Sequence, residues 1–316
     1  MNKFLYKPYR WAAIYSIILA AAFTYTLLDT FVLPKPMAEV SNVSLSSKEG
    51  SEVTSNFQNT ESSSTKEEAQ KKAVVSENYY EDENIKITIE SYRKYDSKIY
   101  VADIEISDPS YLKTAFANNT YGRNITEKTS DIAEENEAIF AINGDFYGFR
   151  DEGYVLRNGK AYRDTARSGH NDALVIDKDG NLSVVSEEEE SLDSLIEKGA
   201  WQVLSFGPGL VVDGDIVVDS SSEVAKSMRS NPRTAIGQID ELHYIFIVSD
   251  GRSSDSEGLS LLELAEEFQK RGCSVAYNLD GGGSSTMYFN GKVINNPTSG
   301  RKTGERKVSD IVYIGY

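Results

Sequence analysis

Between Trp11 and Leu28 the sequence reads WAAIYSIILAAAFTYTLL without a charge, and after Asp29 the apolar character resumes to Leu33. Such a run reaches the roughly 20 residues that a helix needs to cross a hydrocarbon core. Lys3, Lys7 and Arg10 precede it, so the bias of positive flanks toward the inside places residues 1–10 in the cytoplasm, 11–33 in the membrane and the remainder outside. The exit VLPKPMAEV lacks an Ala-x-Ala cleavage pattern, which favours an uncleaved anchor over a signal peptide. The expectation is a single-pass protein of a cell membrane with its bulk extracellular.

Residues 34–79 are rich in Ser, Thr, Glu, Lys and Gln and poor in large apolar side chains. Such a segment buries too little surface to offset its ordering entropy, so it reads as a disordered extracytoplasmic linker. Residues 80–316 are left for a single folded domain. Across the chain, 49 acidic residues against 33 Lys and Arg give a net charge of −16, which argues against a nucleic-acid partner. Cys273 is the one cysteine, so no intramolecular disulfide is available, a pattern that suits a Gram-positive bacterial surface.

Within the domain, NIKITIESY (84–92) and SKIYVADIEIS (97–107) alternate with the period of half-buried strands. Asn158-Gly159, Asp179-Gly180, Asp213-Gly214 and Asn290-Gly291 supply the positive φ angles of tight hairpins. Helices are predicted over 129–137, over 191–199, and over SLLELAEEFQKRG, where Ser260 and Glu263 form a capping box and Gly272 ends the run. The fold class is therefore α+β, a mixed, strand-rich sheet domain with a few packed helices.

With only His170 and His243 available, multi-histidine zinc chemistry is disfavoured. His243, in LHYIFIV, reads as a packed strand residue, and His170 lies in a polar loop. The informative stretches put acids and arginines at the ends of apolar strands. INGDF carries Asn143 and Asp145, NPRTAIG carries Arg233, and VSDGR carries Asp250 and Arg252. NLDGGGSST carries Asp280, and GERKVSD carries Arg306 and Asp310. Singly, each is an ordinary turn or surface ion pair worth about 0–1 kcal/mol. Together they describe an anion site in an acidic protein, because arginine donates two parallel hydrogen bonds to phosphate. Gly281, Gly282 and Gly283 would let backbone N–H groups approach an anion, with the hydroxyls of Ser284, Ser285 and Thr286 completing the cradle.

Five ordered stretches, AINGDFY, NPRTAIG, DGR…GLSLLELAEEF, NLDGGGSSTMY and NNPTSG…ERKVSDIVYI, resemble the phosphodiester glycosidase family over residues 80–316. The resemblance implies hydrolysis of a sugar-1-phosphodiester, often of N-acetylglucosamine, at the anomeric carbon. It carries the family's functional positions to Asn143, Arg233, Asp250, Arg252, Asp280, Gly281, Gly282, Gly283, Ser284 and Arg306, while Asp145 stands where the family pattern is looser. In such a reaction the phosphate is already a good leaving group, so arginines neutralising its growing charge matter more than an acid. A carboxylate must then stabilise or attack C1, or activate water; Asp280 is the first choice and Asp250 the second.

Two other readings use the same residues. One is a phosphodiesterase acting at phosphorus, with Asp145, Asp250, Asp280 and Asn143 holding Mg²⁺ or Ca²⁺; otherwise no cofactor is implied. The other is a non-catalytic binder of phosphorylated wall glycans or exopolysaccharide. In all three the expected partner is a sugar-phosphodiester, as part of a cell-surface glycopolymer.

Overall fold

A computed structural model describes residues 9–37, 73–169, 172–222, 230–300 and 302–316. Lys3, Lys7, His170 and the central part of the expected linker, 38–72, lie outside these residues.

The apolar run forms the helix Arg10–Phe31, and none of its side chains is buried by the domain. Its 22 residues at about 1.5 Å per residue match a hydrocarbon core of roughly 30 Å. It is the one described helix long and apolar enough to cross a membrane.

The domain is built from three larger sheets whose inner faces meet in one core. The nine-stranded sheet runs, in spatial order, Asp215–Ile216, Gly209–Val212, Val275–Asn278, Arg233–Asp240, His243–Ser249, Ser97–Ile106, Ile85–Lys94, Tyr79–Glu81 and Val74–Val75. A five-stranded sheet orders Lys292–Val293, Met287–Phe289, Phe140–Asn143, Asp310–Ile314 and Leu112–Phe116. A second orders Lys160–Arg163, Val155–Arg157, Ala200–Leu204, Asp172–Asp177 and Leu182–Ser186. Ile87, Ile104, Phe140, Leu174, Ile236, Phe246, Tyr277 and Val312 draw all three into one apolar cluster. The α+β, strand-rich fold expected from the sequence is present.

Local chemistry explains the elements. The predicted first hairpin forms with Ile85 opposite Ile106 and Lys94 opposite Ser97, closing through Tyr95 and Asp96 at φ of 53° and 50°. Asn158-Gly159, Asp213-Gly214 and Asn290-Gly291 take positive φ at both positions, as such turns require. The helix Leu261–Lys270 carries the capping box on Ser260 and Glu263 and buries Leu261, Leu264, Ala265 and Phe268 against the outer face of the large sheet. Cys273 is buried beside it, which pushes its thiol up to about 12.

At both ends of the stretch 34–79 the structure has strands rather than linker. Lys35–Pro36 pairs with Gly122–Arg123, and Val74–Val75 pairs with Tyr79–Glu81 at the rim of the large sheet. Backbone ladders hold these short pieces, and composition does not register such bonds.

Every strand pairing among the described residues is antiparallel. Neighbouring strands then run oppositely, so one sheet edge collects strand entries and exits alike. Arg233 opens a strand opposite Ser249, which closes one, and Asn143 closes a strand opposite Ile311, beside the entry at Asp310. This alternation gathers residues distant in sequence along one edge.

Candidate active site

After the strand Val275–Asn278 the chain passes through Leu279 and Asp280 into the 3-10 turn Gly282–Ser284. Gly282 has φ +63°, and a Cβ there would come within 2.9 Å of the Arg252 guanidinium, so both backbone and space demand glycine. Asp280 is only 9 % exposed. Its Oδ2 accepts from Ser284 Oγ at 2.6 Å and from Arg306 Nη2 at 3.1 Å. Arg306 also donates to Ser284 Oγ and to Gly281 O, and its backbone N–H donates to Gly283 O at 3.2 Å. Burial pushes the Asp280 carboxyl above the usual carboxylate range, against the pull of Arg306, Ser284 and Arg150.

Asn143 lies beneath this carboxylate, fully buried. Its Nδ2 donates to Asp280 O at 2.6 Å, and its Oδ1 accepts from Thr234 Oγ1 at 2.8 Å and Thr286 N at 3.2 Å. It therefore ties three elements together and fixes the peptide that carries Asp280.

A cavity of about 260 Å³ opens over the pair, lined by Asp145, Phe146, Phe149, Asp280, Ser284, Arg306, Lys307, Val308 and Ser309. Asp145 forms its wall. Its Oδ2 accepts from Arg157 Nη2 at 2.9 Å and Ser205 N at 3.1 Å, and its Oδ1 accepts from Tyr147 N at 2.9 Å. Arg157 bonds Asp310 Oδ2 as well, through Nη2 at 2.7 Å and Nε at 3.1 Å. All three charges are buried. Two carboxylates then share one guanidinium, and burial, with Asp145 beside it, pushes Asp310 up to about 7. Gly144 lacks a Cβ where the Asp310 carboxylate packs against it, which accounts for the glycine between Asn143 and Asp145.

Other predicted residues sit around this centre. Arg252 lies over Gly282 and bonds Asn231 Oδ1 at 2.8 and 3.1 Å. Arg233 is buried, its Nε donating to Leu259 O at 2.8 Å. Asp250 accepts from Tyr100 Oη, Asn296 N and Asn296 Nδ2 at 2.8 to 3.2 Å, and does not line the cavity. The amides of Gly282, Ser284 and Ser285 donate to backbone carbonyls rather than into a cradle. Of the hydroxyl run Ser284 lines the cavity, and Ser285 and Thr286 do not.

The ligand set imagined for a hard cation is not assembled, because Asp145 is held by Arg157, Asp250 by Asn296, and the Asn143 amide by Asp280 and Thr234. Among the described residues, the metal-ligating side chains that do converge are Asp103, Glu105 and His243. These lie on the large sheet, with Lys86 on Glu105 at 2.5 Å and His243 Nε2 2.9 Å from Asp103. A wider open groove of about 850 Å³, rimmed by Glu187, Glu188, Glu189 and Glu190, has the wrong charge for a phosphate.

Sequence reasoning placed Asp310 beside Arg306 among the candidate anion-site residues, but it did not single out Arg157, Phe146, Phe149 or Ser309. A charged residue closing the short strand-like stretch YVLR was the available signal for Arg157.

The profile of the phosphodiester glycosidase family matches residues 136–315, a span that contains Asn143, Asp280, Arg306 and the buried Arg157 pair. The chain belongs to the phosphodiester glycosidase family. It is 32% identical over 245 residues to the SPbeta prophage-derived uncharacterized protein YomE of Bacillus subtilis (strain 168), covering 75% of this chain and 36% of that one. Identity is 28% over 184 residues with the N-acetylglucosamine-1-phosphodiester alpha-N-acetylglucosaminidase of Bos taurus, covering 53% of this chain and 34% of that one. The chain thus spans about a third of the length of these curated relatives. Its fold is shared with the zebrafish N-acetylglucosamine-1-phosphodiester alpha-N-acetylglucosaminidase catalytic domain, auto-inhibited by its pro-peptide. The TM-score is 0.58 at 22% identity, over 73% of this chain and 83% of that one. A hypothetical protein from Synechocystis shares it at a TM-score of 0.53 and 15% identity, over 74% of this chain and 62% of that one.

Proposed function

We propose that this chain is a membrane-anchored hydrolase that cleaves the glycosidic bond of sugar-1-phosphodiesters, N-acetylglucosamine-1-phosphodiesters among them, in glycopolymers outside the cell. The observation that carries this reading is the trio Asp280, Arg306 and Ser284 facing one cavity, with Asp280 nearly buried and Arg306 half in solvent.

The residue types suit the chemistry. Arg306 is long, partly exposed and bonded to a carboxylate and a hydroxyl, so an incoming phosphate competes for donors already pointed at the cavity. As the C1–O bond breaks, negative charge grows on the phosphate, and a guanidinium aimed there stabilises the transition state. Asp280, desolvated and held by Asn143 through its own carbonyl, is the carboxylate for C1 or its attacking water. Asp145 and Asp310 serve the wall: their charge is tied to Arg157, which fixes the Phe146–Phe149 side of the cavity.

The test is product analysis. The full chain in detergent micelles, given an N-acetylglucosamine-1-phosphodiester, should release free reducing sugar and a phosphomonoester at an unchanged rate in chelator. Release of sugar-1-phosphate that stops in chelator would replace this reading with the metal phosphodiesterase. Saturable binding without either product would replace it with the glycan binder.

A further inference from the structure

The segment that follows the apolar helix does not lead away from the domain but is fastened to it. Lys35 pairs with Arg123 and Pro36 with Gly122 in a two-stranded ladder, and Met37 N donates to Tyr121 O at 3.4 Å. The Met37 side chain packs on the aromatic cluster of Phe116, Tyr121 and Tyr147. Asn124 Nδ2 reaches back to the carbonyls of Thr30 at 3.1 Å and Leu33 at 3.2 Å, at the end of the helix. Lys35 meanwhile pairs with Asp29 in the helix's last turns at 2.5 Å. Whatever length of chain follows residue 37, the strap sets the distance from helix end to domain.

The residues that grip the strap also touch the wall of the cavity. Asn124 N donates to Gly148 O at 3.3 Å, and Gly148 packs on the Gly122 carbonyl so closely that a Cβ there would lie 3.2 Å from it. Gly148 lies between Tyr147, which stacks on Tyr121 at 5.2 Å, and Phe149, which lines the cavity. The segment 121–124 thus touches both the strap and the turn that carries Phe149. The lip itself joins apolar and cationic groups. Phe149, 42 % exposed, stacks on Phe146 at 4.7 Å, Arg150 lies over Phe146, and Lys307 stands exposed beside Arg306. Exposed aromatic rings with basic side chains are the groups that settle at a bilayer surface and attract lipid phosphate.

Resting on the proposed sugar-1-phosphodiester activity, we infer that the substrate is lipid-anchored: a sugar-1-phosphodiester whose second ester is a long-chain alcohol embedded in the bilayer that the helix crosses. The strap holds the cavity at the membrane surface, where the phosphate lies at headgroup level and the sugar projects outward. Water adds to C1, the C1–O bond to phosphate breaks, the lipid keeps a phosphomonoester, and the proton displaced from water goes to that phosphate or to solvent.

The full chain is reconstituted in phosphatidylcholine–phosphatidylglycerol vesicles and offered the hexadecyl and the methyl ester of α-N-acetylglucosamine-1-phosphate. The hexadecyl ester should be cleaved about ten-fold more efficiently or better, as expected when two binding events share one surface. Met37→Asp and Asn124→Gly, the latter keeping the left-handed backbone at φ +56°, should lose that advantage while cleaving the methyl ester as before. Both variants remain in the membrane, so anchoring alone cannot maintain the difference. Equal cleavage of the two esters, or a long-chain advantage that survives both substitutions, overturns the inference and leaves the glycosidase reading in place. Failure to cleave either ester overturns both.

Discussion

Arg306 bonds Asp280 through Nη2 at 3.1 Å while its own backbone N–H donates to Gly283 O at 3.2 Å, so the arginine and the turn carrying the aspartate are fixed to each other at two points. Ser284 Oγ, 2.6 Å from Asp280, closes the triangle. A flexible lysine cannot donate in this forked geometry. Arg306→Lys should therefore lower kcat by about 10- to 100-fold with a smaller change in KM, and Arg306→Ala should lower it further, by an effect on the order of 10³. Steady-state kinetics on a soluble sugar-1-phosphodiester measure both.

Asn143 does not line the cavity but holds the Asp280 carbonyl from below. Substituting alanine leaves Asp280 O, Thr234 Oγ1 and Thr286 N without the partner they now have. An unsatisfied buried group costs about 1–3 kcal/mol, so Asn143→Ala should destabilise the domain by roughly 3 kcal/mol and lower Tm by about 6–12 °C. Asn143→Asp keeps the acceptor but sets a carboxylate against the Asp280 carbonyl, and should be no better. Thermal unfolding of the full chain in detergent checks this.

The buried pair of carboxylates on Arg157 gives the domain a pH dependence of definite sign. Asp310 is raised from 3.8 to about 7, chiefly by burial. A raised carboxyl contributes stability below its unfolded value that is lost as pH rises through about 7, so this group favours the fold at pH 5 over pH 8. Glu267 acts oppositely: burial pushes it up, but Lys94, Tyr92 and Arg271 pull it down to about 2, a contribution present above 4.5 and lost as pH falls toward 2. Denaturation midpoints should fall between pH 5 and pH 8, and Asp310→Asn should flatten that slope. Arg157→Met, which strands two carboxylates, should cost about 3–5 kcal/mol.

Gly282→Ala separates space from chemistry. The residue's φ of +63° costs an L-residue about 1–2 kcal/mol, and its Cβ displaces the Arg252 guanidinium. Activity should fall more than stability does, read as kcat/KM against Tm.

Much of this was legible in the sequence, for identifiable reasons. The capping box at Ser260 and Glu263, the hairpin turns and Asp280 after VAYNL rest on local signals. Arg157 was not legible, because its partners Asp145 and Asp310 lie 12 and 153 residues away and only the folded sheets join them. The use of the turn's amides was hidden on a similar point: Gly282 N donates to Pro232 O, and Ser284 N and Ser285 N to carbonyls of the turn itself, and no composition rule states which acceptor wins. The strap was hidden because Lys35, Pro36 and Met37 contribute backbone bonds and one side chain to a cluster built elsewhere.

Which bond of the phosphodiester breaks is the central claim, and isotope placement reads it directly. The full chain is incubated with an N-acetylglucosamine-1-phosphodiester in ¹⁸O-water, and both products are weighed by mass spectrometry. Cleavage at C1, with Asp280 as the carboxylate, puts the label in the sugar and leaves the phosphomonoester unlabelled, and Asp280→Asn abolishes the signal. Label in the phosphate, or full activity in Asp280→Asn, would contradict the account.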